Sequence, residues 1–60
     1  MPDYQLAARV AIYEHGEHVT ERTLRGFTIE AESVLEAEDI LRENLVNGGD
    51  DVVDVWVTRA

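Results

Sequence analysis

The stretch SVLEAEDILRENLVNGG, residues 33 to 49, decides the predicted fold. Ser33 and Glu36 have the spacing of a capping box, in which the hydroxyl and the carboxylate bind the free amide groups at a helix start. The Asn-Gly-Gly sequence at 47–49 tolerates positive φ angles and is typical of a helix end. The sequence therefore predicts a helix that begins after Ser33 and ends near Val46.

Hydrophobic residues of this helix recur at intervals of three and four positions. At about 100° per residue they project along one side, which is the side expected to pack on a core. This side consists of Val34, Ala37, Leu41 and Leu45, flanked by Ile40 on one edge and by Leu35 and Val46 on the other. The opposite side of the helix is acidic.

Two strands are predicted before the helix. From Tyr4 to Glu14 apolar residues alternate with other residues, a period of two that is typical of a half-buried strand. The polar cluster EHGEH at 14–18, with its central Gly16, indicates a hairpin turn. A second strand is expected from about Val19 to Glu30, and the face that Val19 occupies stays open.

The second strand changes phase in its middle. Leu24 lies on one side of the alternation, whereas Phe27 and Ile29 lie on the other. An extra residue in a strand restores a common face, and glycine is frequent at such places. We therefore expect a β-bulge near Arg25 and Gly26.

A third strand is predicted from Val52 to Arg59. Its alternation directs Val53, Val55 and Val57 towards the core and leaves Val52, Asp54, Trp56 and Thr58 on the other face. The element order is then β-β-α-β, and a right-handed crossover places the third strand beside the first. We expect a single α+β domain over residues 1–60, with a three-stranded antiparallel sheet in the order 2-1-3 and the helix packed on one face.

Composition narrows the functional classes. The 60 residues contain no cysteine, which excludes disulfides and thiolate metal sites. No secretory signal is recognisable, and no apolar run approaches the roughly 18 residues that span a membrane, so we expect a cytoplasmic protein. No hydroxyl has a histidine at a recognised motif spacing, so we expect no enzymatic activity and no cofactor.

The charge of the chain is concentrated in one region. The net charge is −8, and residues 30 to 54 carry nine carboxylates against one base, Arg42, while the remaining charges cancel. Such a surface repels nucleic acid and anionic membranes, and its natural partner is a basic protein surface. The predicted contact residues are Glu32, Glu36, Asp39, Glu43, Asp50, Asp51 and Asp54.

These observations favour a small acidic protein-binding module. Carboxylates about one helical turn apart form a line of negative charge that fits a groove meant for nucleic acid. Small acidic chains include inhibitors from phages and mobile elements, among them DNA-mimicking anti-CRISPR proteins, which act in the host cytoplasm. Size and charge carry this hypothesis, and no sequence motif supports it.

Two alternatives stay open. In the first, the acidic helix is only a solvated surface in a halophile or GC-rich organism, and the chain is a structural homodimer joined through the sheet face without a helix. That open face is expected to carry Arg9, Ala11, Tyr13, Val52 and Trp56. In the second, His15 and His18 of the hairpin turn bind a divalent cation weakly, although solvated turn residues are the simpler interpretation.

Overall fold

The computed structural model describes residues 1–59 and confirms the predicted α+β architecture. The three strands form one sheet in the order β2-β1-β3, and both pairs of neighbours are antiparallel. The elements are β1 (Asp3–Glu14), β2 (Glu17–Glu30), α1 (Val34–Asn47) and β3 (Asp51–Arg59). The central strand is therefore β1, and both β2 and β3 are edge strands.

The hairpin between β1 and β2 closes with a two-residue turn. Glu14 lies opposite Glu17, which leaves His15 and Gly16 as the loop. Their φ angles are 54° and 83°. Positive φ at both central positions defines a type I′ turn, whose twist matches that of the flanking strands. Because β3 begins opposite Ala11, the hairpin tip extends beyond the rest of the sheet.

The β-bulge predicted in β2 is confirmed. Two residues separate Leu24 from Phe27, whereas one residue separates their partners on β1, Ala8 and Leu6. Gly26 within this bulge has a φ of 85°, in the left-handed region that glycine occupies without steric cost. The extra residue brings Leu24 and Phe27 to the same face, where both pack against the core.

Val19, whose face the sequence left open, occupies a second irregularity of β2. Thr20 lies opposite Ile12 and His18 lies opposite Tyr13, so Val19 is the extra residue between them. Its side chain is exposed. Val19 therefore adds little to the core.

The faces predicted for Val52 and Val53 are wrong. Asp54 lies opposite Arg9 and Val52 lies opposite Val10, so Val53 is an extra residue in β3. A bulge of one residue moves the side chains before it to the other face of the sheet. Val52 accordingly packs against the core, and Val53 is exposed.

The helix packs on the sheet through a narrower side than predicted. Val34 is exposed, in contrast to the prediction that it belongs to the buried stripe, and Leu35 and Val46, predicted to flank that stripe, are exposed as well. Leu35 and Val46 lie about half a turn of rotation away from Ala37, so they point away from the sheet. The buried core consists of Leu6, Ala8, Ala31, Ala37, Leu41, Leu45 and Val55.

Both predicted helix ends are confirmed. The Ser33 hydroxyl accepts a hydrogen bond from the backbone N–H of Glu36, at 3.2 Å between Oγ and N. At the other end, the N–H of Asp50 donates to the carbonyl oxygen of Leu45 at 3.0 Å, and Gly49 has a φ of 93°. Within residues 1–59, the helix has neither the length nor the apolar character needed to cross a membrane.

Candidate functional site

The seven acidic residues predicted as one contact surface are divided between two sides of the molecule. Glu36, Asp39 and Glu43 lie on α1, and Glu32 lies just before its N-cap. Asp51 and Asp54 lie opposite Ala11 and Arg9 of β1, which places them on the sheet face that the helix does not cover. Asp50 is exposed in the connection between these two sides. The seven predicted contact residues therefore do not share one side of the molecule, because the alternation of β3 and its bulge at Val53 turn Asp51 and Asp54 away from the helix.

Two acids of the open sheet face, Glu21 and Asp51, lie beside polar or basic side chains of the same chain, and Asp54 accepts a hydrogen bond from the backbone N–H of Val55. Arg9 Nε lies 2.9 Å from Glu21 Oε1, and His18 Nε2 lies 3.7 Å from Glu21 Oε2. The Tyr13 hydroxyl donates a hydrogen bond to Asp51 Oδ2. This hydrogen bond, together with the negative charge of the Asp51 carboxylate, raises the pKa of Tyr13 above its usual value. The open face thus carries a polar network that is largely satisfied within one chain.

This open face carries fewer apolar side chains than predicted. Four of the five residues predicted for it are present, but Val52 lies on the core side. Trp56 is half-buried, and its cross-strand neighbour Ala7 is completely buried. The aromatic ring of Tyr13 lies 5.6 Å from that of His18, measured between ring centroids. A partner that docked here would meet hydrogen-bonded and charged groups beside the two aromatic side chains.

The side of α1 that faces away from the sheet, called its outward side, differs in electrostatic character from the open sheet face. Arg42 Nη1 lies 3.8 Å from Asp39 Oδ1 and reduces the charge at that position. In the described part of the chain, no base lies within ion-pair distance of Glu32, Glu36 or Glu43. Their carboxylates are at least partly exposed to solvent. The helix therefore presents negative charge that the fold leaves uncompensated.

Two exposed hydrophobic residues lie on this same side of the helix, and the sequence interpretation missed them. Leu35 is 73% exposed and Val46 is 54% exposed. The signal was available in their spacing, because Leu35 and Val46 fall in line with Asp39 and Arg42 rather than with the buried Leu41. The outward surface of α1 is thus both acidic and locally apolar.

The hairpin histidines are not brought together as a metal site. His15 is exposed in the turn, whereas His18 lies in β2 next to Glu21. Over residues 1–59, no group of three histidine or carboxylate side chains is arranged to hold a metal ion. The geometry therefore gives no support to cation binding at this turn.

Comparisons with known proteins identify no relative of this chain. No protein-family model matches the chain, and searches of curated proteins and of solved structures find no significant match.

Proposed function

We propose that this protein is a small acidic binding module, and that the outward side of α1 docks on a basic surface of another protein. The observation that carries the proposal is the contrast between the two acidic sides. On the open sheet face, Glu21 already lies beside Arg9 and His18, and Asp51 accepts a hydrogen bond from Tyr13. Carboxylates of Glu36 and Glu43 on the helix have no such partner among the residues described.

The arrangement of charge on the helix is costly for the isolated chain. Asp39 and Glu43 are separated by four positions, and a like-charge pair at this spacing destabilises a helix by about 0.2–0.5 kcal/mol. Glu36 gains some stabilisation from the positive end of the helix dipole in the first turn, but Glu43 is too far along the helix to do so. Contact with lysine or arginine side chains of a partner would turn this repulsion into attraction.

The partner class follows from the spacing of the charges. Glu36 and Glu43 are about 10 Å apart along the helix axis, and Asp39 lies between them. Rows of basic side chains that neutralise a nucleic-acid backbone are complementary to such a line. The partner in this proposal is a nucleic-acid-binding protein, and the chain acts as its inhibitor by covering the basic groove. The narrower form of the proposal is a DNA-mimicking inhibitor from a phage or mobile element, such as an anti-CRISPR protein.

A pair of charge-reversal variants tests the proposal. The first carries Glu36→Lys and Glu43→Lys on the helix. The control carries Glu14→Lys and Glu17→Lys on either side of the hairpin turn, where both residues are exposed, so the net charge of the two variants is identical. Each protein is immobilised and used to capture binding proteins from lysate at low and high salt, and a captured protein is then purified and titrated.

The proposal expects a basic nucleic-acid-binding protein that binds the wild type and the hairpin control at low salt. The helix variant is expected to lose this binding, and high salt is expected to weaken it because exposed charges are screened. Equal loss in both variants would indicate a response to net charge alone and would contradict docking through the helix. Binding that changes neither with salt nor with the charge reversal on the helix would also contradict docking through the helix.

The open-sheet homodimer has less support from the structure. Its predicted surface loses Val52 to the core, and Arg9 and Tyr13 already have partners in the chain. Apolar burial would therefore contribute little to sheet-on-sheet association.

A further inference from the structure

Four residues form a straight line along the outward side of α1, and we call this line the outer stripe. They are separated by four, three and four positions, the spacing of the contact positions in a two-helix coiled coil. Its ends are apolar and strongly exposed, and its middle carries an acid and a base whose side chains lie 3.8 Å apart. The outer stripe consists of Leu35, Asp39, Arg42 and Val46.

The order of residues in the outer stripe is self-complementary. When two such helices lie side by side in opposite directions, Leu35 of each copy faces Val46 of the other. The same symmetry places Asp39 of each copy opposite Arg42 of the other. A two-fold interface has this property, since every contact between two positions occurs twice with the copies exchanged. Arg42 is the only base of the helix, and it stands where this pairing needs it.

We propose that a second copy of this chain docks antiparallel on the outer stripe to form a two-fold homodimer. The inference goes beyond the proposed function, because it concerns association of the chain with itself. The two interfaces share Asp39 and the outward side of α1, so a docked second copy and a docked basic partner exclude each other. Burial of Leu35 and Val46 supplies the apolar contacts, and the two Asp39–Arg42 pairs set the direction and register of the helices.

The size and charge of this interface define how the dimer behaves. A helix of 14 residues is about 21 Å long and buries less than the roughly 800 Å² per partner of a standard interface, so the dimer is weak. Pairing also brings Glu36 of one copy beside Glu43 of the other along one edge. Added salt screens this repulsion and that between two chains of net charge −8, which outweighs its weakening of the two Asp39–Arg42 pairs, and so strengthens the dimer. Binding of a basic partner responds to salt in the opposite direction, which separates the two proposals experimentally.

A charge-swap experiment tests the inference. Asp39→Arg places two bases in the stripe and Arg42→Asp places two acids there, so each variant repels its own copies. A mixture of the two variants restores two attractive pairs, and the total charge of the mixed dimer equals that of the wild-type dimer. A third variant, Leu35→Gln with Val46→Thr, removes the apolar ends without changing charge. Trp56→Ala on the open sheet face is the control.

Sedimentation equilibrium up to about 1 mM protein, in low and high salt, measures association in this affinity range. Wild type and Trp56→Ala are expected to dimerise, more strongly at high salt. Each charge variant alone and the apolar variant are expected to be monomers, with helix content by circular dichroism unchanged because all four positions are exposed. The mixture of charge variants is expected to dimerise again. A monomeric wild type under all conditions, a dimer lost only in Trp56→Ala, or a mixture that stays monomeric would overturn the inference.

Discussion

The Tyr13 hydroxyl donates a hydrogen bond to the carboxylate of Asp51, which lies 38 residues further along the chain. Tyr13 is near the end of the central strand, and Asp51 is the first residue of β3. This contact connects the sheet edge to the hairpin on the face away from the helix. Because Asp51 accepts this hydrogen bond within the chain, it differs from the acids of α1 whose charge the fold leaves uncompensated.

The hydrogen bond predicts a pH-dependent contribution of Tyr13. Its pKa is raised in the folded state, so the contribution to stability is present below the ordinary value of about 10 and is lost as the pH rises through the folded-state pKa. The chain has two tyrosines, and Tyr4→Phe leaves Tyr13 as the only one. In that background, absorbance titration is expected to show a lower pKa after Asp51→Asn. An unchanged midpoint would mean that Asp51 does not hold the tyrosine proton.

The hydrophobic side of α1 predicts a large difference between two leucines of the same helix. Leu41 is fully buried, so Leu41→Ala is expected to lower the free energy of unfolding by about 2–5 kcal/mol, or to unfold the domain. Leu35→Ala is the matched control and should change it by no more than about 0.5 kcal/mol, because Leu35 is exposed. Urea denaturation at low protein concentration measures both. Similar losses at the two positions would contradict the packing described.

The N-cap of α1 predicts a specific role for the hydroxyl of Ser33. Ser33→Ala removes the acceptor of the Glu36 N–H and is expected to cost about 0.5–2 kcal/mol. Ser33→Asp keeps an acceptor at the same place and adds a charge that suits the helix dipole, so it should retain the wild-type stability. Thermal unfolding followed by circular dichroism distinguishes them. Equal destabilisation by both changes would argue against capping.

The positive φ of the glycine in the β2 bulge predicts that it tolerates alanine less well than the glycine at the C-cap of α1. Gly26 has a φ of 85° and nothing within 4 Å of an added Cβ, so Gly26→Ala should cost about 1–2 kcal/mol through backbone strain alone. Gly48 has a φ of −80°, and Gly48→Ala should be neutral or stabilise by up to about 1 kcal/mol. Denaturant titrations of the two variants check this. A neutral Gly26→Ala would show that the bulge relaxes at no cost.

The element order and the sheet topology follow from local signals in the sequence. Ser33 and Glu36 mark the helix start, Gly16 marks the hairpin, and the phase break next to Gly26 marks the bulge. Each signal is short-range, since caps, turns and alternation depend on residues within a few positions of one another. With only one helix between strands two and three, few arrangements of the chain remain.

Only the tertiary structure decided the faces at the start of β3 and the width of the buried side of α1. No glycine in the sequence indicates the bulge at Val53. It arises because Val52 pairs with Val10, which belongs to a strand far away in the sequence. The spacing placed Ala37, Leu41 and Leu45 on the buried side of α1, but packing on the sheet decided that this side excludes Val34 and Leu35. Composition located the charge in residues 30 to 54, and local alternation placed Asp54 on the face away from the helix. Long-range pairing brought Asp51 to that face as well, because register between strands is set by contacts that no local pattern contains.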